Sequence, residues 1–431
     1  MLRIKPEMGL SINVFINQKW RTIMKKKFLA VLMAATMVSS LVACGQTAAT
    51  TETTETTETT EATQETQATE PAAETAAETT EAGDKMMIAM VTDYGDITDQ
   101  SFNQSTYEAC KAFAEANNAE FTYYKPEGDS TAERVAMIDK AYADGYRIIV
   151  MPGYAFAEAI NETADMYPDA QFVALDVSEY DLEGDGSDFN SETYANVFSA
   201  VYQEELPGYM AGYAAVKMGY TQLGFLGGMA VPAVIRYGYG FVQGADAAAK
   251  ELGADVSINY AYGNQFYGDS DITAAMDTWY QGGTQVVFAC GGGIFTSAGE
   301  AAAKVGGKVI GVDVDQSKTI DGMFEAGMTV TSAMKGLQAT VNTLLAAIRD
   351  GQWDSYAGKI LNLGLVSGDD TSLNYVGLPE DTTVWTDSFT VDDYKKLVAD
   401  MVSGAITVSN DTTAAEPTAE TVKINFQGNI K

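Results

Sequence analysis

The chain has 431 residues, with 26 Lys and Arg against 59 Asp and Glu, a formal charge of −33, and no histidine. A chain this acidic repels nucleic acid and anionic lipid head groups, so neither is an expected partner. The missing histidine removes Ser-His-Asp and Cys-His catalysis, histidine metal sites and the usual neutral-pH general base, so no enzyme activity, metal or cofactor is expected.

The basic "MKKKF" (24–28) precedes the apolar run "FLAVLMAATMVSSLV" (28–42). This run is shorter than the roughly 20 residues a spanning helix needs, so residues 1–43 read as a signal peptide whose true start is Met24. It ends in "LVAC" (41–44), which looks like a bacterial lipobox with Cys44 as the lipidated residue. Removing residues 1–43 deletes seven Lys/Arg and one Glu, which takes the charge to −39. The expected location is the bacterial cell membrane, lipid-anchored, on its extracellular or periplasmic side. Residues 44–85 are dominated by Thr, Glu and Ala and hold too little apolar material for a core. They read as a self-repelling tether of roughly 31–37 Å root-mean-square length, more with like charges.

From Met86 apolar strands alternate with helical stretches. "MMIAMV" (86–91), "EFTYY" (120–124), "RIIVM" (147–151) and "QFVAL" (171–175) come first; "QLGFLGG" (222–228), "VSINYAY" (256–262), "QVVFAC" (285–290) and "KVIGVDVD" (308–315) follow. The pattern predicts parallel sheets flanked by helices, and about 320 such residues exceed one core, so two α/β lobes are expected. The boundaries are 86–205 plus about 334–352 for lobe I and about 206–333 plus about 353–409 for lobe II. Residues 194–219 carry the chain across, and 410–431 read as a loose tail. Cys110 and Cys290 should fall in different lobes as free thiols.

In such sheets ligands bind beyond the carboxyl ends of the strands. Those ends carry "DYGDITDQSF" (93–102), "PGYAF" (152–156), "GGMAVP" (227–232), "CGGGIF" (290–295) and "DVDQS" (313–317). They offer glycines for close backbone approach, acids as acceptors, and Phe102, Tyr154 and Tyr237 as flat surfaces. Blander roles exist for each: Phe102 as a helix-entry staple, the first-loop aspartates as caps and turns, and Tyr237 as core. Lys335, read as a helix-start residue, opposes the helix dipole there, which favours a ligand or ion-pair role. "CGGGIF" fails the dinucleotide pattern, which needs glycine at Thr296, and 179–192 lacks EF-hand spacing.

"VTDYGDITDQSFNQSTYEA", "PGYAFAEA", "YANVFSAVYQEELPGYMAG", "FLGGMAVPAVIRYGYGF", "GVDVDQS" and "TSAMKG", in this order, resemble the basic membrane protein family. These are substrate-binding lipoproteins of ABC importers, among them purine nucleoside receptors. The resemblance covers Met86 to about Ser409. It implies a two-lobed ribose-type periplasmic binding protein fold with the ligand cleft between the lobes, and an ABC transporter permease as partner. It implies a purine stacked between Phe102 and Tyr237, its edge read by Asp93, Asn103 and Glu158, where the family usually shows aspartate. It implies a ribose held by Asp313, the Gly292 backbone and Lys335. Riboflavin or a simple sugar is the alternative ligand, and a sensory or adhesive surface lipoprotein the alternative role. Segment 178–192 is longer than the family leads one to expect and is a candidate cleft rim.

Overall fold

The computed structural model describes residues 85–183 and 190–431. The signal peptide, Cys44, nearly all of the tether and the middle of segment 178–192 lie outside the described residues.

Five strands come first: β1 (Met87–Val91), β2 (Glu120–Tyr124), β3 (Ile148–Pro152), β4 (Gln171–Leu175) and β5 (Val197–Tyr202). Five more follow: β6 (Gln222–Gly227), β7 (Ser257–Tyr262), β8 (Val286–Cys290), β9 (Lys308–Asp313) and β10 (Thr329–Lys335). Then come β11 (Lys359–Leu363), the two-residue β12 (Val376–Gly377) and β13 (Lys423–Asn429). They form two sheets, ordered β2-β1-β3-β4-β5-β11 and β13-β7-β6-β8-β9-β10-β12. Every pairing is parallel except β12 against β10. Central strands such as β3 and β8 are buried along their whole length, because helices cover both faces.

The first ten strands repeat one topology twice, with β6–β10 retracing β1–β5. The order reverses beside β1 in the first sheet and beside β6 in the second, so a crevice opens at the carboxyl ends of the strands there. The chain crosses between lobes after Tyr202, after Lys335 and between Leu363 and Val376. Cys110 lies in the first lobe and Cys290 in the second, both free and buried.

Two boundaries differ from the sequence reading. Residues 359–363 are not in lobe II, because β11 runs parallel to β5 with Lys359 opposite Phe198. That stretch, KILNL, is interrupted by Asn362 and has no buried residue, unlike the continuous buried apolar run that marks a central strand. Residues 410–431 are not loose. Asp246 accepts the Thr421 and Val422 amides at 2.6 and 2.9 Å, and β13 then pairs with β7. Phe426 packs on Tyr260 and Tyr262, so the last strand covers what would otherwise be an open sheet edge.

One helix contact sets the second lobe's geometry. Helix Glu205–Lys217 and helix Pro232–Leu252 meet through glycines spaced four apart on each: Gly208 and Gly212 against Gly240 and Gly244. A Cβ at Gly212 would lie 2.0 Å from the Phe241 carbonyl oxygen, and one at Gly244 2.0 Å from that of Tyr209. Backbone thus touches backbone, which only glycine permits. The contact holds Arg236 and Tyr237 against the crossover at Glu204. Gly212→Ala should therefore lower stability by about 1–3 kcal/mol, as overpacking does, read as a lower urea midpoint at unchanged slope.

Candidate functional site

The loop after β1 divides its acids among three tasks. Asp96 ends a turn, accepting the Thr98 amide at 3.0 Å and pairing with Lys125 at 2.5 Å. Asp99 caps helix Phe102–Ala116, accepting the amides of Ser101, Asn103 and Gln104 at 2.9, 2.9 and 3.0 Å. Asp93 is buried and accepts the Gly95 amide at 2.6 Å. Burial raises its pKa to about 6, against the lowering effect of that amide. Gly95 leaves room for Asn103: a Cβ there would lie 2.1 Å from Asn103 Nδ2 and would displace that side chain.

A second set of charges converges from three strand ends. Lys335, the last residue of β10, has its Nζ 2.6 Å from Asp176 Oδ2, 3.3 Å from Glu204 Oε1 and 3.7 Å from Asp313 Oδ1. Asp176 follows β4 in the first lobe, Asp313 ends β9 in the second, and Glu204 sits on the crossover. Arg236 Nε donates to Glu204 Oε2 at 2.6 Å, and Ser101 Oγ donates to Asp313 Oδ2 at 2.6 Å. Burial alone would lower the Lys335 pKa, but Asp176, Asp313 and Glu204 push it above the ordinary lysine value. Burial also raises Asp176, to about 6, despite Lys335. Glu204 is buried too, yet Arg236 and Lys335 together bring it below the usual range.

Aromatic faces complete the site. The Lys335 ammonium lies 4.6 Å from the Phe102 ring centroid and 5.9 Å from that of Tyr237. Phe102 opens its helix in the first lobe, and Tyr237, on the glycine-packed helix of the second, is fully buried with its hydroxyl unpartnered. The side chains surround a cavity of about 930 Å³ between the lobes. Eight of the nine ligand-contact candidates line it: Asp93, Phe102, Asn103, Tyr154, Tyr237, Gly292, Asp313 and Lys335.

Glu158 does not line it. It is exposed on helix Ala157–Thr163 and accepts a hydrogen bond from Thr131 Oγ1 at 2.6 Å. The acid that the cavity receives near this point is Asp129, paired with Arg134 at 2.7 Å. Sequence reasoning also missed Asp176, Glu204 and Arg236, and the ring pair Tyr94 and Phe266. Asp176 left a legible trace: "ALDVS" (174–178) parallels "GVDVD" (311–315) at the equivalent strand of the second lobe. Lys335 ends a strand rather than starting a helix, and its ion pairs come from both lobes.

Lys335→Met would leave Asp176, Glu204 and Asp313 with only Arg236 to balance them. Breaking a buried pair in this way costs about 3–5 kcal/mol. An acid whose pKa is raised on folding favours the folded state below its unfolded pKa, and that contribution is lost as pH rises through the folded value. The deficit of Lys335→Met should therefore be largest above pH 7 and shrink as pH falls toward 5, measured as urea midpoints across that range.

Residues 86–398 match the family model described as ABC transporter substrate-binding protein, PnrA-like. The nucleoside-binding protein BmpA of an ABC transporter in Lactococcus lactis subsp. cremoris is 28% identical over 338 residues, covering 74% of this chain and 88% of that protein. Basic membrane protein B of Borreliella burgdorferi is 28% identical over 305 residues, covering 68% of this chain and 81% of that protein. Among solved structures, an ABC transporter solute-binding protein of Aeropyrum pernix K1 superposes with a TM-score of 0.58 at 21% identity, covering 76% and 88% of the two chains. One from Conexibacter woesei reaches 0.57 at 22% identity, covering 75% and 99%. Those likenesses support the two-lobed fold. The chain belongs to the family of PnrA-like substrate-binding proteins of ABC transporters.

Proposed function

We propose that this protein captures a nucleoside, with a purine preferred, and delivers it to the permease of an ABC importer while anchored to the membrane through Cys44. The observation that carries the reading is the joining of two aromatic side chains, Phe102 and Tyr237, with the acids Asp93 and Asp313 around one interlobe cavity. The rings suit the faces of a flat base. Asp93 and Asn103 suit its edge, and the unpartnered Asn103 Oδ1 is an acceptor awaiting a donor. Asp313 suits vicinal ribose hydroxyls, with the Lys335 ammonium 3.7 Å from its Oδ1. The Lactococcus relative, which carries nucleoside binding in its name, supports the same choice. The role is one of binding without chemistry: both described cysteines are buried, and burial pushes their thiols up, away from nucleophilic reactivity.

The lipid anchor rests on the sequence "LVAC" alone. Among the described residues no helix is long and apolar enough to cross a membrane. Cys44→Ser should shift the protein from the membrane fraction to the medium or periplasm. Unchanged partitioning would remove the anchor from the reading.

Ligand choice is tested by titration calorimetry with inosine, 2′,3′-dideoxyinosine and hypoxanthine. Removing the hydroxyls takes two donors from the buried Asp313 and leaves it Ser101 and Lys335 alone, so the dideoxy analogue should bind about tenfold more weakly or worse. Phe102→Ala should weaken inosine by roughly 5- to 150-fold, as loss of a stacking face does. Because the ionised form of Asp93 is the acceptor, inosine affinity should fall as pH drops below about 6. Equal affinity for inosine and its dideoxy analogue would overturn ribose recognition and favour riboflavin or another flat ligand.

A further inference from the structure

The C-terminal segment 409–431 lies beyond the residues that match the family model, and it is fastened along the helix that carries part of the site. Helix Pro232–Leu252 starts at the cavity with Arg236 and Tyr237, and none of its residues after Tyr237 lines that cavity. Further along, Tyr239, Gln243, Asp246 and Lys250 recur at helical spacing and so share one face. That face lies roughly 110° round the helix from the glycines that meet helix Glu205–Lys217.

The end of the chain binds all four. The Tyr239 hydroxyl donates to the Ala414 carbonyl at 2.6 Å. Gln243 and the backbone of Ser409 exchange two hydrogen bonds, both 2.9 Å. Asp246 accepts three successive amides, those of Glu420, Thr421 and Val422, at 3.2, 2.6 and 2.9 Å. Lys250 pairs with Glu420 at 2.7 Å. Asp246 is the strongest of these fastenings, because an ionised acceptor strengthens each bond it receives. Ala419, Val422, Ile424 and Phe426 then pack on the same apolar cluster that holds Tyr237.

The glycine contact sets how near the two helices come, but it does little to stop one of them rolling. Side chains seated between those of a neighbour resist rotation; at Gly208, Gly212, Gly240 and Gly244 backbone rests on backbone instead. A roll about the helix axis would carry Arg236 off Glu204, now 2.6 Å away, and swing the Tyr237 ring out of the cavity. Fastenings spread over roughly 16 Å of the helix oppose that roll.

We infer that segment 409–431 is a strap that fixes the roll of helix Pro232–Leu252, and with it the placement of Arg236 and Tyr237 in the cleft wall, with Asp246 as its buckle. Asp246 is a positioning residue of the binding site: it touches the strap and acts on ligand only through the helix.

The experiment compares Asp246→Ala with Asp321→Ala. Asp321, elsewhere in the second lobe, also holds backbone amides, those of Gly327 and Thr329 at 2.7 and 2.8 Å, but has no bond to this helix. Asp246→Ala should weaken inosine binding in calorimetry by roughly 2- to 30-fold, as changes acting through a packed network do. Asp321→Ala should bind as wild type does. Asp246→Asn, whose carbonyl can keep the Thr421 and Val422 bonds, should stay nearer wild type than Asp246→Ala. On a Tyr237→Ala background, Asp246→Ala should cost less affinity than it does alone, because its route is already cut. Unchanged affinity in Asp246→Ala, an equal loss in Asp321→Ala, or an equal cost on both backgrounds would overturn the strap's role. The affinity arm rests on the nucleoside reading; hydrogen exchange does not. In ligand-free protein the amides of residues 233–240 should exchange faster in Asp246→Ala than in Asp321→Ala. If wild type fails to bind inosine, the nucleoside reading falls and exchange alone decides: faster exchange supports the strap and equal rates sink it.

Discussion

The site is organised around one buried ammonium. Lys335 stands where the chain passes from the second sheet back to the first lobe, and it touches an acid from each lobe and one from the crossover between them. Desolvating any one of these groups alone would be costly, and together they offset one another. The arrangement also ties lobe closure to electrostatics. Asp176 belongs to the first lobe and Asp313 to the second, and both meet the same cation only when the strand ends face each other. The aromatic slot inherits its position from this cluster, because Phe102 and Tyr237 both lie within reach of Lys335.

A steric constraint supports the electrostatic one. Arg236 neutralises Glu204 only because its helix approaches the crossover helix at backbone contact. The glycines at 208, 212, 240 and 244 make that approach possible and transmit the placement to Tyr237 one residue further on. A residue with a side chain at any of them would push Arg236 from Glu204 and leave three acids facing one lysine.

The alternating strands, the two lobes and the cleft at their carboxyl ends were legible because buried parallel strands leave uninterrupted apolar runs. Asp313, Phe102 and Tyr237 were legible because each sits in a motif of fixed spacing. β11 was not, since this edge strand, bounded by Lys359 and broken by Asn362, has no such run. β13 was not, because Thr, Ala and Glu around 410–422 suggest solvent, and a few apolar residues, Val422, Ile424 and Phe426 among them, carry the burial that fastens it. Glu158 was misplaced for a geometric reason: on a short helix beside the loop, one residue of rotation turns a side chain from the cleft to the surface. Asp176, Glu204 and Arg236 are long-range partners of Lys335, and local pattern says nothing about which distant acid a lysine will meet.

Asp176 combines three features that each work against a rigid fold. It holds a left-handed backbone conformation at φ 61°, one of its carboxylate oxygens has no partner, and burial raises its pKa. Asp313, its counterpart at the equivalent strand end, shares the left-handed backbone at φ 64°. Asn or Gly would sit at position 176 with less strain and no buried charge. Laboratory selection for heat resistance alone would therefore be drawn to this residue early, and the sturdier descendants would have a cleft that closes around a neutral wall. Retention of aspartate there would mark selection for capture over durability.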